Sequence, residues 1–296
     1  VRRVRRLTPS RIFGIVFMAV ATIVTVLPLL WMLKTAFSYN SDLLKDPGAW
    51  WPQDFTWINF ARVLGLASAE DAAKSGGVTI EGFGFLRYLW NSILFTGVAV
   101  IGQVAFCTAA GYVLARVRFR GREAVFVAFV AGLFIPAILT TIPNFVLIKD
   151  LGLINTFPGL VAPFFLMTPF AVFFMRQFFL GYPAQLEEAA RIDGLGTLGV
   201  FGRIVIPTSI PPMITLAVIA GVAQWQEFLW PLLVTKSADA QPLTVGLATF
   251  SDQSLGSQVD WSGLMAASTL SIVPVILVLL LVGRRLVGSI QLAGLR

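Results

Sequence analysis

Six apolar segments divide this chain of 296 residues, at approximately 12–36, 89–115, 124–148, 157–180, 205–234 and 262–287. Each is long enough to cross about 30 Å of hydrocarbon at about 1.5 Å per residue. Backbone polar groups in lipid find no water, so each segment must satisfy its own N–H and C=O groups. That excludes open sheet edges and leaves helices. Composition agrees: 57% of residues are apolar and 12% charged, where a soluble protein carries about 25% charge. The expected fold is an all-α integral membrane domain over residues 1–296, with six transmembrane helices.

Several chemistries drop out early. There is no histidine, which removes histidine-based catalysis, metal sites and proton relays. The one cysteine, Cys107, lies inside an apolar run and reads as a small packed hydrophobe, so no disulfide forms within the chain. Metal ligands are not expected. No Gly-x-x-x-x-Gly-Lys-Ser/Thr loop is present, so the chain does not hold ATP by that device. The basic N-terminus runs into a long apolar stretch without a small-x-small cleavage site. It reads as a retained first span rather than a signal peptide.

The net charge of +7 is distributed by side of the membrane, which argues against nucleic acid. One side holds Arg2, Arg3, Arg5, Arg6, Arg11, Arg116, Arg118, Arg120, Arg122, Arg176, Arg191, Arg203, Arg284, Arg285 and Arg296. The other holds Lys34, Lys45, Arg62, Lys74, Arg87, Lys149 and Lys236, diluted by a long loop. The positive-rich side is expected to be cytoplasmic. Both termini then lie inside, residues 1–11 and 181–204 are cytoplasmic, and 37–88 and 235–261 are external loops. The loop 37–88 reads as carrying one or two short helices. Loop 235–261 is polar but is interrupted by the apolar patch Leu243-Thr244-Val245-Gly246-Leu247, which is expected either to pack on an external partner or the cavity mouth, with Gly246 letting the backbone come close to a ligand, or to tuck against span six.

The tryptophans fall at or beyond the outer ends of spans. They read either as an interfacial belt or, in part, as a mouth where sugar faces stack. Eleven of the 16 prolines lie in or beside spans, most of them in spans three to five. Interior prolines remove a helix hydrogen bond and bend the helix, so the pathway is placed among those spans. Glu227 is the one acid placed within a span. It is a functional candidate, or else it pairs with a neighbour at the outer interface.

Between spans four and five the chain turns polar. Pro183 suits a helix start, where its missing N–H costs nothing. Glu187 and Glu188 follow in the first turn, where the helix dipole favours acids. Glu187 and Arg191 stand at i, i+4 in the favourable order, and Leu186, Ala189 and Ala190 are expected to share one face. Gly194 is placed to end the helix in a left-handed conformation. Ile204-Val205-Ile206-Pro207 leads into span five. These features describe a short amphipathic helix that either docks a soluble partner or lies in the lipid interface.

The run Leu186-Glu187-Glu188-Ala189-Ala190-Arg191-Ile192-Asp193-Gly194 resembles the EAA coupling loop of binding-protein-dependent ABC sugar importers. Asn91-Ser92, Gly111-Tyr112, Ala115-Arg116, Phe228-Leu229-Trp230-Pro231-Leu232, Leu243 to Leu247 and Met265-Ala266-Ala267 are also similar to that family. The similarity covers roughly residues 20 to 290 and is nearest the smaller, six-span permease of the maltose-type group, which includes the glycerol-3-phosphate importer's permease. It implies a heterodimer with a second permease, two cytoplasmic ATPase subunits that bind ATP and Mg, and an external solute-binding protein. It places the chain in the bacterial inner membrane.

By this resemblance Leu186, Glu187, Glu188, Ala189, Ala190, Asp193, Gly194, Ile204 and Pro207 couple to the ATPase. Trp225, Gln226, Glu227, Trp230, Thr244 and Gly246 are candidates for the pathway or for contact with the binding protein. Two departures stand out. Trp225-Gln226-Glu227 replaces the family's Trp-Asn, and the chain closes on Ala293-Gly294-Leu295-Arg296 in place of Lys-Gly. The expected function is sugar import by alternating access, with no catalysis or cofactor on this chain. The alternatives are import of glycerol-3-phosphate or a related polyol phosphate, and, from another class, an ion-driven secondary carrier. The latter requires paired intramembrane charges and internal repeats, neither of which is visible in the sequence.

Overall fold

Apolar length sets where the chain forms long helices, and proline decides where those helices break. The computed structural model describes residues 9–68, 70–71, 75, 83–254 and 259–293. Expectations placed on Arg2, Arg3, Arg5, Arg6, Lys74, Ser257, Gln258 and the tail Gly294 to Arg296 lie outside the described residues. Among the described residues every regular element is helical. In chain order these are α1 (Pro9–Ala36), α2 (Asn40–Lys45), α3 (Ile58–Val63), α4 (Phe85–Arg116), α5 (Arg122–Gly132), α6 (Ala137–Asp150), α7 (Phe157–Phe165) and α8 (Pro169–Leu180). They continue as α9 (Ala184–Ile192), α10 (Thr197–Val200), a π turn (Phe201–Val205), α11 (Ile206–Thr208), α12 (Ile210–Trp225), α13 (Leu229–Val234), α14 (Leu243–Ser254) and α15 (Trp261–Ala293).

Spans one, two and six are continuous helices, as α1, α4 and α15. Spans three, four and five are bent. The axes turn by 102° between α5 and α6, by 41° between α7 and α8, and by 71° between residues 197–208 and α12. These differ from the single helices the sequence suggested. Pro136 precedes α6, Pro169 opens α8, and Pro211 and Pro212 lie in the first turn of α12. Proline lacks the N–H that would continue the ladder and disfavours a helical residue before it. Position matters, since Pro28 and Pro274 sit inside the continuous α1 and α15.

The described chain forms two compact units, residues 1–85 with 247–272, and 86–246 with 273–296. In the second, Tyr112, Val172, Met175, Phe179, Val200, Val205 and Leu216 form one core, and Phe95, Leu160, Trp230 and Val234 another. Cys107 is fully buried in the first of these. Gly111 lets α4 approach α8, because a Cβ there would meet Met175 Cβ at 2.6 Å. Small residues serve close helix approach inside membranes in this way.

The first unit holds a buried polar knot. Asn59 Nδ2 donates to the Ala36 and Ser38 carbonyls, at 2.8 Å each. Arg62 donates to Asn59 Oδ1 at 3.0 Å and pairs with Asp260. Asp260 accepts from Gly263 N at 2.9 Å, which caps the start of α15. One or two short helices were expected in 37–88, and its described residues include α2 and α3.

Candidate functional site

The segment from 181 to 207 folds into α9, α10, the π turn and α11. Pro183 stands just before α9, at its N-cap, rather than at its first helical position. At the other end, Leu195 N donates to Ala190 O and Gly194 N to Arg191 O, each at 3.0 Å. Gly194 has φ +85°. This is the Schellman arrangement, which satisfies carbonyls the helix leaves orphaned. Ala190 and Leu195 both pack on the core.

The faces of α9 differ from those expected. Glu187 and Ala190 are buried, while Leu186, Glu188, Ala189, Ile192 and Asp193 are exposed. Leu186 and Ala189 therefore part from Ala190, and Ile192 stands 86% exposed. Nor does Glu187 pair with Arg191 along the helix. Its Oε2 accepts from Tyr112 Oη at 3.1 Å, and its Oε1 faces Arg116 Nε at 3.3 Å, an ion contact without hydrogen-bond alignment. Arg116 also donates to the Tyr182 carbonyl. Nearby, Arg176 reaches Leu114 O at 3.2 Å and Glu123 at 3.0 Å, and its guanidinium lies 3.7 Å from the Phe126 ring centre. Ile204 is half-buried in the π turn, and Pro207 is exposed on α11.

The pathway candidates separate into two kinds. Glu227 does not lie inside a helix but in the break between α12 and α13. Its Oε1 accepts from Trp230 N at 3.1 Å, and its carbonyl accepts from Thr244 Oγ1 at 2.8 Å. Trp230 is buried and donates from Nε1 to Leu160 O at 3.1 Å, so it is a core residue rather than an interfacial one. The patch at 243–247 begins the helix α14 instead of lying in a loop. Gly246 is buried, and a Cβ there would meet the Tyr88 ring at 2.6 Å. The close approach expected for a ligand is taken by Tyr88. Trp225 is half-buried, and Gln226 is exposed at the end of α12.

Residues 107–291 match the model of a family described as the binding-protein-dependent transport system inner membrane component. The chain belongs to this family. It is therefore a multi-pass inner-membrane transport component rather than an enzyme, and the ion-driven reading is set aside. A Streptomyces coelicolor protein, the diacetylchitobiose uptake system permease protein NgcG, is 30% identical over 91% of this chain and 84% of its own length. The arabinooligosaccharides transport system permease protein AraQ of Halalkalibacterium halodurans is 31% identical, covering 92% of each chain. The sn-glycerol-3-phosphate transport system permease protein UgpE of Brucella suis is 28% identical over 93% of this chain and 94% of its own. In fold, the chain resembles a crystal structure of a bacterial ABC transporter involved in the import of the acidic polysaccharide alginate. The TM-score is 0.77 at 24% identity, covering 94% of this chain and 98% of that one.

In this permease the sequence reading missed Tyr112 and Arg116 as partners of Glu187, and Glu123 as partner of Arg176. Arg176 had served only to orient the spans, Arg116 only for that and the family resemblance, and Tyr112 only for the resemblance. Each arginine pairs across the fold rather than with the acid that follows it in the chain, Arg116 with Glu187 and Arg176 with Glu123, so the order of charges along the sequence pointed to the wrong partners. On the expectation that α9 docks an ATPase, Gly194→Val should weaken recovery of the ATPase with the permease at least about threefold, since a β-branched residue at positive φ costs on the order of 1–2 kcal/mol. Gly199→Val should leave recovery near normal, because its nearest neighbour is the flexible Leu195 tip at 3.3 Å. Equal losses in affinity purification would remove the capping argument.

Proposed function

We propose that this permease carries a neutral sugar or oligosaccharide into the cytoplasm by alternating access, driven by a separate ATPase that docks on α9. The complex would contain a second, related permease, two ATPase subunits binding ATP and Mg, and an external solute-binding protein. The observation that carries the reading is the two-sidedness of α9. One face is locked into the protein through Glu187 and Ala190, and the other offers Leu186, Glu188 and Ile192 to a partner. A helix merely lying in lipid has no use for Glu188 and Asp193 beside its exposed apolar residues. The clustered arginines put α9 on the cytoplasmic side.

Two of the relatives above are named for oligosaccharides, which supports a sugar as cargo. A polyol phosphate is the second reading, favoured by the UgpE likeness. A phosphate would need cationic donors, and the guanidinium of Arg176, near the end of α8, is occupied by Glu123 and Leu114. The test is uptake in proteoliposomes holding both permeases and the ATPase. Impermeant thiol reagents at Glu188→Cys and Asp239→Cys report the two faces. Uptake of a neutral oligosaccharide is expected only with ATP on the face that labels position 188 and binding protein on the face that labels 239. ATP-independent uptake, or exchanged faces, defeats the proposal. Preference for glycerol-3-phosphate would select the second reading.

A further inference from the structure

Two adjacent acids on α9 point in different directions. Glu188 is exposed, whereas the Glu187 side chain is 8% exposed. The partners of Glu187 belong to the last turns of α4. They are also tied to the chain on both sides of α9. Arg116 holds the Tyr182 carbonyl just before the helix. The Tyr112 ring packs against Phe179, at 5.6 Å between centres, and against Phe201 at 5.0 Å. Tyr182 Oη in turn lies 2.7 Å from Thr208 Oγ1, beyond the π turn. The second arginine, Arg176, fastens α8 to the end of α4 and the start of α5 through Leu114 and Glu123.

Apolar contact is non-directional, and the buried part of α9 offers little of it, chiefly the small Ala190. The hydrogen bond from Tyr112 fixes the direction of the carboxylate, and the Arg116 contact adds charge attraction to it. Loss of Arg116 leaves the Glu187 carboxylate uncompensated in a buried place. We propose that Glu187 is a positioning residue. Through Arg116 and Tyr112 it makes α9 rigid with α4, so that displacement of the docked face is delivered to span two rather than absorbed by tilting of α9. This deepens the docking proposal and rests on it. The coupling is a claim about a physical link, so its warrant must be a measured interaction between the two positions.

The test uses the whole complex in proteoliposomes, measuring ATP hydrolysed, substrate taken up and ATPase retained on purification. Glu187→Ala should retain the ATPase within about twofold and keep hydrolysing ATP, while uptake per ATP falls about tenfold. Glu187→Gln, which keeps size and the Tyr112 hydrogen bond but not the charge, should fall less. Exchanging the charges, Glu187→Arg with Arg116→Glu, should recover most of the loss seen with either change alone. Normal uptake per ATP in Glu187→Ala overturns the proposal. So does loss of assembly in both the Ala and Gln variants, which would show a merely structural role, and so does absence of recovery in the exchanged pair. Failure of the docking reading looks different: Glu188→Lys would then keep both ATPase and uptake, whatever happens at Glu187.

Discussion

Glu188→Lys is expected to abolish substrate uptake while the permease itself folds and inserts normally. The side chain is exposed at the middle of α9, since the helix starts at Ala184 and only Glu187 falls in the first turn where both acids were expected. Reversing its charge there disturbs nothing buried, and exposed substitutions of this kind change stability by about 0.5 kcal/mol or less. The adverse helix-dipole term adds about 0.3–1 kcal/mol at most. The cost falls on the interface. On the proposed docking, with Glu188 facing basic residues of the ATPase, turning that contact from attractive to repulsive removes on the order of 2–5 kcal/mol, which weakens association roughly 30-fold to several thousandfold. The measurement is ATPase co-purification together with uptake. The permease should elute as wild type, without ATPase, and uptake should vanish. Full uptake would show that α9 does not carry the contact.

Asp260→Ala is expected to be the most destabilising single change in the first unit. Asp260 is fully buried, pairs with Arg62 and caps α15 through Gly263 N. Removing the carboxylate takes the Asp260 charge away from the Arg62 guanidinium, whose side chain is 6% exposed and which keeps Asn59 Oδ1, and leaves the Gly263 amide without its acceptor. Breaking a buried pair in this way costs about 3–5 kcal/mol, a large share of the roughly 5–15 kcal/mol that holds a domain together. Thermal unfolding of the purified complex should show a clear fall in Tm. Asp260→Asn, which keeps an acceptor, should lose less than Asp260→Ala. Arg62→Leu combined with Asp260→Leu should recover part of the loss, because neither member of the buried pair then faces the other's absence. A wild-type Tm for Asp260→Ala would mean that the knot is not a stabilising element.

Local and compositional features were legible in the sequence. Apolar length announced membrane helices, because lipid leaves the backbone no alternative. Clustered prolines announced trouble in spans three to five, and those are the three that bend. Gly194 announced the left-handed end of α9, because glycine adopts positive φ without strain. Each of these effects acts within a few residues, so a sequence displays it directly.

What a side chain meets across the fold was not legible. Glu187 had an adequate local partner in Arg191, yet the structure gives it Tyr112, 75 residues away. Arg62 and Asp260 are 198 residues apart and read as ordinary loop charges until packing brings them together. Gly246 looked free to admit a ligand, and Tyr88 fills the space. The sequence alone thus determined that the chain crosses a membrane in helices, where they weaken and where α9 ends. Only the tertiary structure decided which of two neighbouring acids faces inward. The reason is physical: hydrophobicity, helix termination and proline geometry are properties of short segments, whereas the pairing of buried charges depends on which helix ends meet.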